Sequence, residues 1–107
     1  MTTIRVKDRV QFSQEKMSKI ALASTQRLQL DLYCLAPGQS QKPHTHQDLD
    51  KVYYVLEGEG EISLAGQSEA IRAGEAVVAP AGVEHGLANT GHAGMACLVI
   101  VAPPRAH

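Results

Sequence analysis

Histidine is a common metal ligand, and three histidines in this sequence are candidates for that role: His44, His46 and His85. His44 and His46 are separated by one residue, and residues i and i+2 of a β-strand point to the same face, so their imidazoles can converge on one point. His85 follows a turn that contains proline and glycine, far along the chain. Spacing alone does not bring it to the other two, so the elements around the histidines decide whether they form a site.

The regularities of this 107-residue chain are those of β-strands. Leu28, Leu30, Leu32 and Cys34 alternate with more polar residues, which predicts a half-buried strand. A strand is also predicted within an N-terminal segment, residues 1–20, because its apolar residues would lie on one face: Ile4, Val6, Val10 and Phe12. Glycines recur every eight residues at 58, 66, 74 and 82, a spacing typical of a sandwich or barrel. We predict one all-β domain over residues 1–107, with a helical turn only at 13–19.

Composition excludes several functional classes. Ten basic residues balance eleven acidic ones without a basic run, so no nucleic-acid partner is expected. No apolar segment reaches the roughly 20 residues that cross a bilayer, so no membrane association is expected. Residues 1–10 alternate charged and aliphatic residues rather than forming a signal peptide, so we expect a cytoplasmic protein. Cys34 and Cys97 lie in apolar runs and are expected to be buried, reduced thiols.

Two segments resemble the sequence motifs of the cupin superfamily. Residues 74–89 (GEAVVAPAGVEHGLAN) match the second cupin motif, G-x5-P-x-G-x2-H-x3-N, at every position. Residues 38–58 (GQSQKPHTHQDLDKVYYVLEG) resemble the first motif, G-x5-H-x-H-x3-4-E-x6-G, except at the glutamate. The resemblance implies a double-stranded β-helix, which is a small jelly-roll barrel. It also implies one divalent transition metal held by His44, His46 and His85, without distinguishing zinc, iron, nickel, manganese or copper.

Lys51 occupies the position of the family's glutamate ligand. An ammonium there adds positive charge beside a cation, which Coulomb repulsion disfavours. Asp50, at the shorter spacing that the motif allows, could supply the fourth ligand instead. Alternatively the site has three histidine ligands and open positions, with Lys51 either uncharged or turned toward Asp48 or Asp50. In a third alternative no metal binds and Lys51 is the functional group of the pocket. In a fourth, Lys51 points to solvent.

Cupins with three-histidine centres include dioxygenases, isomerases and lyases, so the resemblance implies a metalloenzyme acting on a small oxygenated or carboxylate-bearing molecule. Tyr53 shares the parity of Lys51, and this pair would serve as acid/base or anchoring groups. The alternatives are a non-catalytic module that binds a small molecule or a metal, and a metal-free barrel. We expect a homodimer that pairs through the predicted N-terminal strand IRVKDRVQF, residues 4–12, because that strand would otherwise be an open edge.

Overall fold

Two antiparallel β-sheets face each other in a computed structural model that describes residues 3–104. The nine strands are β1 Ser18–Ser24, β2 Gln29–Leu35, β3 Ser40–His44, β4 Asp50–Glu57, β5 Glu59–Leu64, β6 Gln67–Arg72, β7 Ala76–Ala79, β8 His85–Ala88 and β9 Met95–Ala102. One sheet has the order β1-β2-β9-β4-β7 and the other β3-β8-β5-β6. This arrangement confirms the predicted all-β double-stranded β-helix. Among residues 3–104, no helix combines the length and apolar character needed to cross a bilayer.

The barrel interior is lined by one face of each sheet. In β4 the residues Lys51, Tyr53 and Val55 are buried in alternation, and the five-stranded sheet adds Tyr33 and Leu35 from β2. Ile62, Ile71 and Leu87 come from the opposite sheet. Alternate residues of a strand point to opposite faces, so the parity of β4 puts a lysine in an apolar core. That lysine is fully buried in the barrel interior.

The predicted half-buried character of β2 is wrong at its C-terminal end, where residues 31–35 are all buried. Leu32 and Cys34 do not face the barrel interior. They form an outer cluster with Ala96, and Val6 and Val10 pack against that cluster. The chain before β1 covers this part of the sheet, so both faces of β2 are shielded from water.

The predicted N-terminal strand is also wrong. Residues 6–9 form a short 3-10 helix, Val6–Arg9, and β1 begins only at Ser18. Val6 begins this turn and Val10 directly follows it, and both side chains pack against the outer cluster of the sheet. Packing on the sheet selects the turn. The predicted helical turn at 13–19 is absent, and the segment 1–12 presents no strand edge for dimer formation in its described part.

The expected buried free thiols are confirmed for both cysteines. Burial raises the pKa of the Cys97 thiol to about 12 and also raises the pKa of the Cys34 thiol. Thiolates are the reactive form of cysteine. Both side chains therefore act as small core residues.

Candidate metal centre

The structure brings His44, His46 and His85 together at one end of the barrel. The ring centroid of His44 lies 4.7 Å from that of His46 and 4.4 Å from that of His85, and the His46–His85 distance is 5.6 Å. One nitrogen from each ring lies within 4.8 Å of the others. Within residues 3–104, this cluster consists of three imidazole rings and contains no carboxylate.

Strand pairing and one close approach position these rings. His44 ends β3 and is paired directly with His85 at the start of β8. A Cβ at Gly86 would lie 3.0 Å from the backbone oxygen of Gln41 and from the nitrogen of Pro43, so any larger residue would push β3 away by a few tenths of an ångström. The backbone N–H of Gly82 donates to the His46 carbonyl over 2.8 Å. This bond joins the turn before His85 to the loop that carries His46.

Hydrogen bonds fix the tautomers of two of the rings. Nδ1 of His44 lies 2.9 Å from the Lys42 carbonyl oxygen, and Nδ1 of His85 lies 2.9 Å from the Val83 carbonyl oxygen. A carbonyl oxygen only accepts, so each Nδ1 is the donor, and in the neutral ring the lone pair is on Nε2. A backbone carbonyl on the other ring nitrogen is the usual support of a metal-binding histidine. The donor set therefore fits a transition metal.

Lys51 is fully buried in the same interior, so the alternative in which it points to solvent is wrong. Its Nζ lies 5.4 Å from the centroid of the Tyr33 ring and 5.6 Å from that of Tyr53. The faces of these rings carry partial negative charge and attract an ammonium group. The Tyr53 ring is itself 6.1 Å from the His85 ring. Lys51, Tyr53 and the histidines thus belong to one interior region.

Asp50 lies outside the histidine cluster. Its side chain is exposed, and Oδ1 accepts a hydrogen bond of 2.8 Å from the backbone N–H of Ala81. Asp50 and Lys51 are adjacent in β4, so they point to opposite faces of the sheet. The carboxylate supports the turn that precedes His85, and the structure does not bring it to the position of a fourth ligand.

Sequence reasoning missed Gln41, a buried residue of β3 whose Oε1 accepts a hydrogen bond of 2.8 Å from the Tyr53 hydroxyl. In a regular strand, alternate residues share a face, so Lys42 would face the interior with His44, and Gln41 would face outward. The pairing of β3 with β8 shifts register between Gln41 and His44, so both residues face inward. A bulge of this kind leaves no sequence signal beyond the proline at position 43.

Comparison with known proteins identifies the family. The Cupin_2 family, described as "Cupin domain", matches residues 31–101. Protein TT1209 from Thermus thermophilus has 40% identity and a TM-score of 0.93, with 96% of this chain and 98% of that chain covered. An RmlC-like cupin protein from Desulfovibrio desulfuricans has 26% identity and a TM-score of 0.85, with coverage of 98% and 99%.

A curated relative carries a functional name. An oxalate-binding protein from Thermotoga maritima is 33% identical over 67 residues, which cover 63% of this chain and 55% of that protein. An uncharacterized protein from Methanocaldococcus jannaschii is 28% identical over 64 residues, covering 60% of this chain and 51% of that protein. The chain thus spans about half the length of the curated relatives it matches. From its motifs, its barrel and the match over residues 31–101, the chain belongs to the cupin family.

Proposed function

We propose that this cupin binds a small carboxylate of the oxalate type inside the barrel, next to one divalent metal ion held by His44, His46 and His85. The observation that carries the proposal is the burial of the Lys51 side chain in the same interior as the three histidines. The similarity to an oxalate-binding protein from Thermotoga maritima supports the choice of ligand.

The charges of the site favour a dianion. A bound divalent ion would supply positive charge and open coordination positions for an oxygen donor. Three neutral imidazoles leave that charge uncompensated, and Lys51 adds to it where a glutamate ligand would have reduced it. A dianion such as oxalate compensates both for the missing negative charge of the glutamate and for the added positive charge of the lysine. It would leave the site with the net charge that a metal ion and one glutamate ligand have together.

Lys51 would hold such a ligand, and Tyr53 would position the lysine. Lys51 donates up to three hydrogen bonds and carries the countercharge for one carboxylate. Tyr53 fixes the lysine from one side through its ring and contributes a hydroxyl to the interior. Because this lysine comes from β4, which is paired on one side with β9 and on the other with β7, its position is defined by the sheet rather than by a loop.

The same two residues support an enzyme as the second candidate. A buried amine and a phenol beside a metal centre can move a proton at a substrate carbon or oxygen, as a dioxygenase, isomerase or lyase requires. Turnover of a panel of small carboxylates and diketones by the metal-loaded protein would establish this activity. Binding without any turnover across the panel would leave the binding module as the function.

The proposal predicts metal-dependent binding of oxalate. Calorimetric titration of oxalate into Zn²⁺-loaded protein, freed of unbound Zn²⁺, should give saturable binding with about one site per chain. His46→Ala should bind neither the metal nor oxalate under the same conditions. Oxalate binding of equal affinity to wild type and His46→Ala would contradict a metal-dependent site, and no binding to the loaded wild type would contradict the choice of ligand.

A homodimer remains part of the proposal, with a different interface from the N-terminal strand. Val52, Tyr54, Val78, Leu98 and Ile100 form an apolar patch on the outer face of the five-stranded sheet, with Val52 paired to both Val78 and Ile100. The side chain of Val78 is 58% exposed. A second copy packed on this patch would bury it. Light scattering should detect a dimer in the wild type and a monomer in Val78→Lys, whereas a monomeric wild type would contradict the interface.

A further inference from the structure

Gln41 is a buried polar residue that the proposed function leaves without a role. Its side chain is only 8% exposed, and its Oε1 accepts the hydrogen bond from the Tyr53 hydroxyl. Its Nε2 is buried and has no hydrogen-bond partner among residues 3–104. A buried donor without an acceptor costs about 1–3 kcal/mol. An oxygen atom of a bound ligand would remove this cost.

The Tyr53–Gln41 hydrogen bond crosses the barrel interior. Tyr53 belongs to β4 in the five-stranded sheet, and Gln41 belongs to β3 in the other sheet. The Tyr53 ring lies 5.6 Å from Lys51 Nζ and 6.1 Å from the ring of His85. Gln41 and Lys51 therefore reach the region of the metal centre from opposite sheets, with Tyr53 in contact with the Gln41 amide.

We propose that Gln41 is a specificity-determining residue, an inference that rests on the proposed function. Its Nε2 donates to an oxygen at one end of the ligand, while Lys51 pairs with a carboxylate at the other end. The Tyr53 hydroxyl holds Oε1 and thereby turns Nε2 toward the ligand. Because the hydrogen-bond donors Gln41 Nε2 and Lys51 Nζ come from opposite sheets, they match a ligand that has oxygen atoms at both ends. The ligand class is thus a small dicarboxylate or 2-oxo acid, and a simple monocarboxylate satisfies only one donor.

The test compares oxalate with acetate in Zn²⁺-loaded protein by calorimetry. Gln41→Met keeps an unbranched side chain of similar size and removes the donor, so the affinity for oxalate should fall at least about tenfold. The affinities for acetate and Zn²⁺ should stay unchanged. Gln41→Glu should weaken oxalate binding further, because it places a carboxylate against the dianion. Gln67→Glu makes the same chemical change at the exposed first residue of β6 and should have no effect.

The outcomes separate this inference from the proposed function. Equal oxalate affinity in wild type and Gln41→Met would overturn the role of Gln41 and leave the oxalate site intact. Equal losses for oxalate and acetate would overturn its role in selectivity, since a merely structural residue would affect both ligands. A wild type that binds Zn²⁺ but no oxalate would overturn the proposed function and this inference with it.

Discussion

Lys51→Glu should bind a divalent metal ion more tightly than the wild type and should lose oxalate binding. The substitution replaces a buried positive charge with a negative one in the interior that holds the three histidines. At an effective dielectric constant of about 20, reversing a charge about 10 Å from a divalent ion contributes at least about 3 kcal/mol, or about 100-fold in Kd. The same reversal repels a dianion, so the two affinities should move in opposite directions.

Two further variants separate charge from packing. Lys51→Met removes the charge and keeps the length of the side chain, so its metal affinity should lie between those of wild type and Lys51→Glu. Lys16→Glu makes the same charge reversal at an exposed position before β1 and should change metal affinity very little, because exposed charges are screened. Unchanged metal affinity in Lys51→Glu would contradict an electrostatic interaction between the bound ion and the side chain at position 51.

Asn89→Ala should strongly destabilise the barrel. Asn89 is 2% exposed, and its Nδ2 donates to the carbonyls of Leu35 and Ala93 over 2.8 and 2.9 Å. Its Oδ1 accepts the backbone N–H of Gly91 over 2.9 Å. Alanine leaves these three backbone groups without their partner, which costs about 2–4 kcal/mol.

Urea unfolding followed by circular dichroism measures this loss. The midpoint should fall with an unchanged slope, and Tm should drop by roughly 10–20 °C. Asn89→Asp keeps the acceptor and loses both donors, so it should be at least as unstable as Asn89→Ala. Thr90→Ala changes the exposed neighbour and should stay within about 0.5 kcal/mol of wild type. Equal stability of Asn89→Ala and Thr90→Ala would contradict this account.

The barrel and its histidine cluster could be predicted because the motifs fix distances along the chain. Gly58, Gly74 and Gly82 have φ values of +82°, +89° and +83°, the conformation that the turns require and that glycine adopts readily. Asn89, the last residue of the second motif, donates hydrogen bonds to the backbone carbonyls of Leu35 and Ala93. Such residues have one local role each, and that role leaves a clear sequence signal.

Other features depend on contacts between distant segments, and the sequence did not determine them. The alternation of Val6 and Val10 is compatible with a strand or a helical turn, and only the outer cluster on the sheet selects the turn. The inward orientation of Gln41 depends on a register shift against β8. The orientation of Lys51 follows from its parity with Tyr53, but its burial conflicts with the usual position of a lysine.

The central claim is that His44, His46 and His85 hold a metal ion in this barrel. The most direct test is the metal content of protein purified without an affinity tag, measured by mass spectrometry for wild type and His44→Ala. The wild type should contain about one divalent transition-metal ion per chain, and His44→Ala should contain almost none, because two imidazoles are too few for a stable site. A wild type without metal, or equal metal content in both proteins, would contradict the claim.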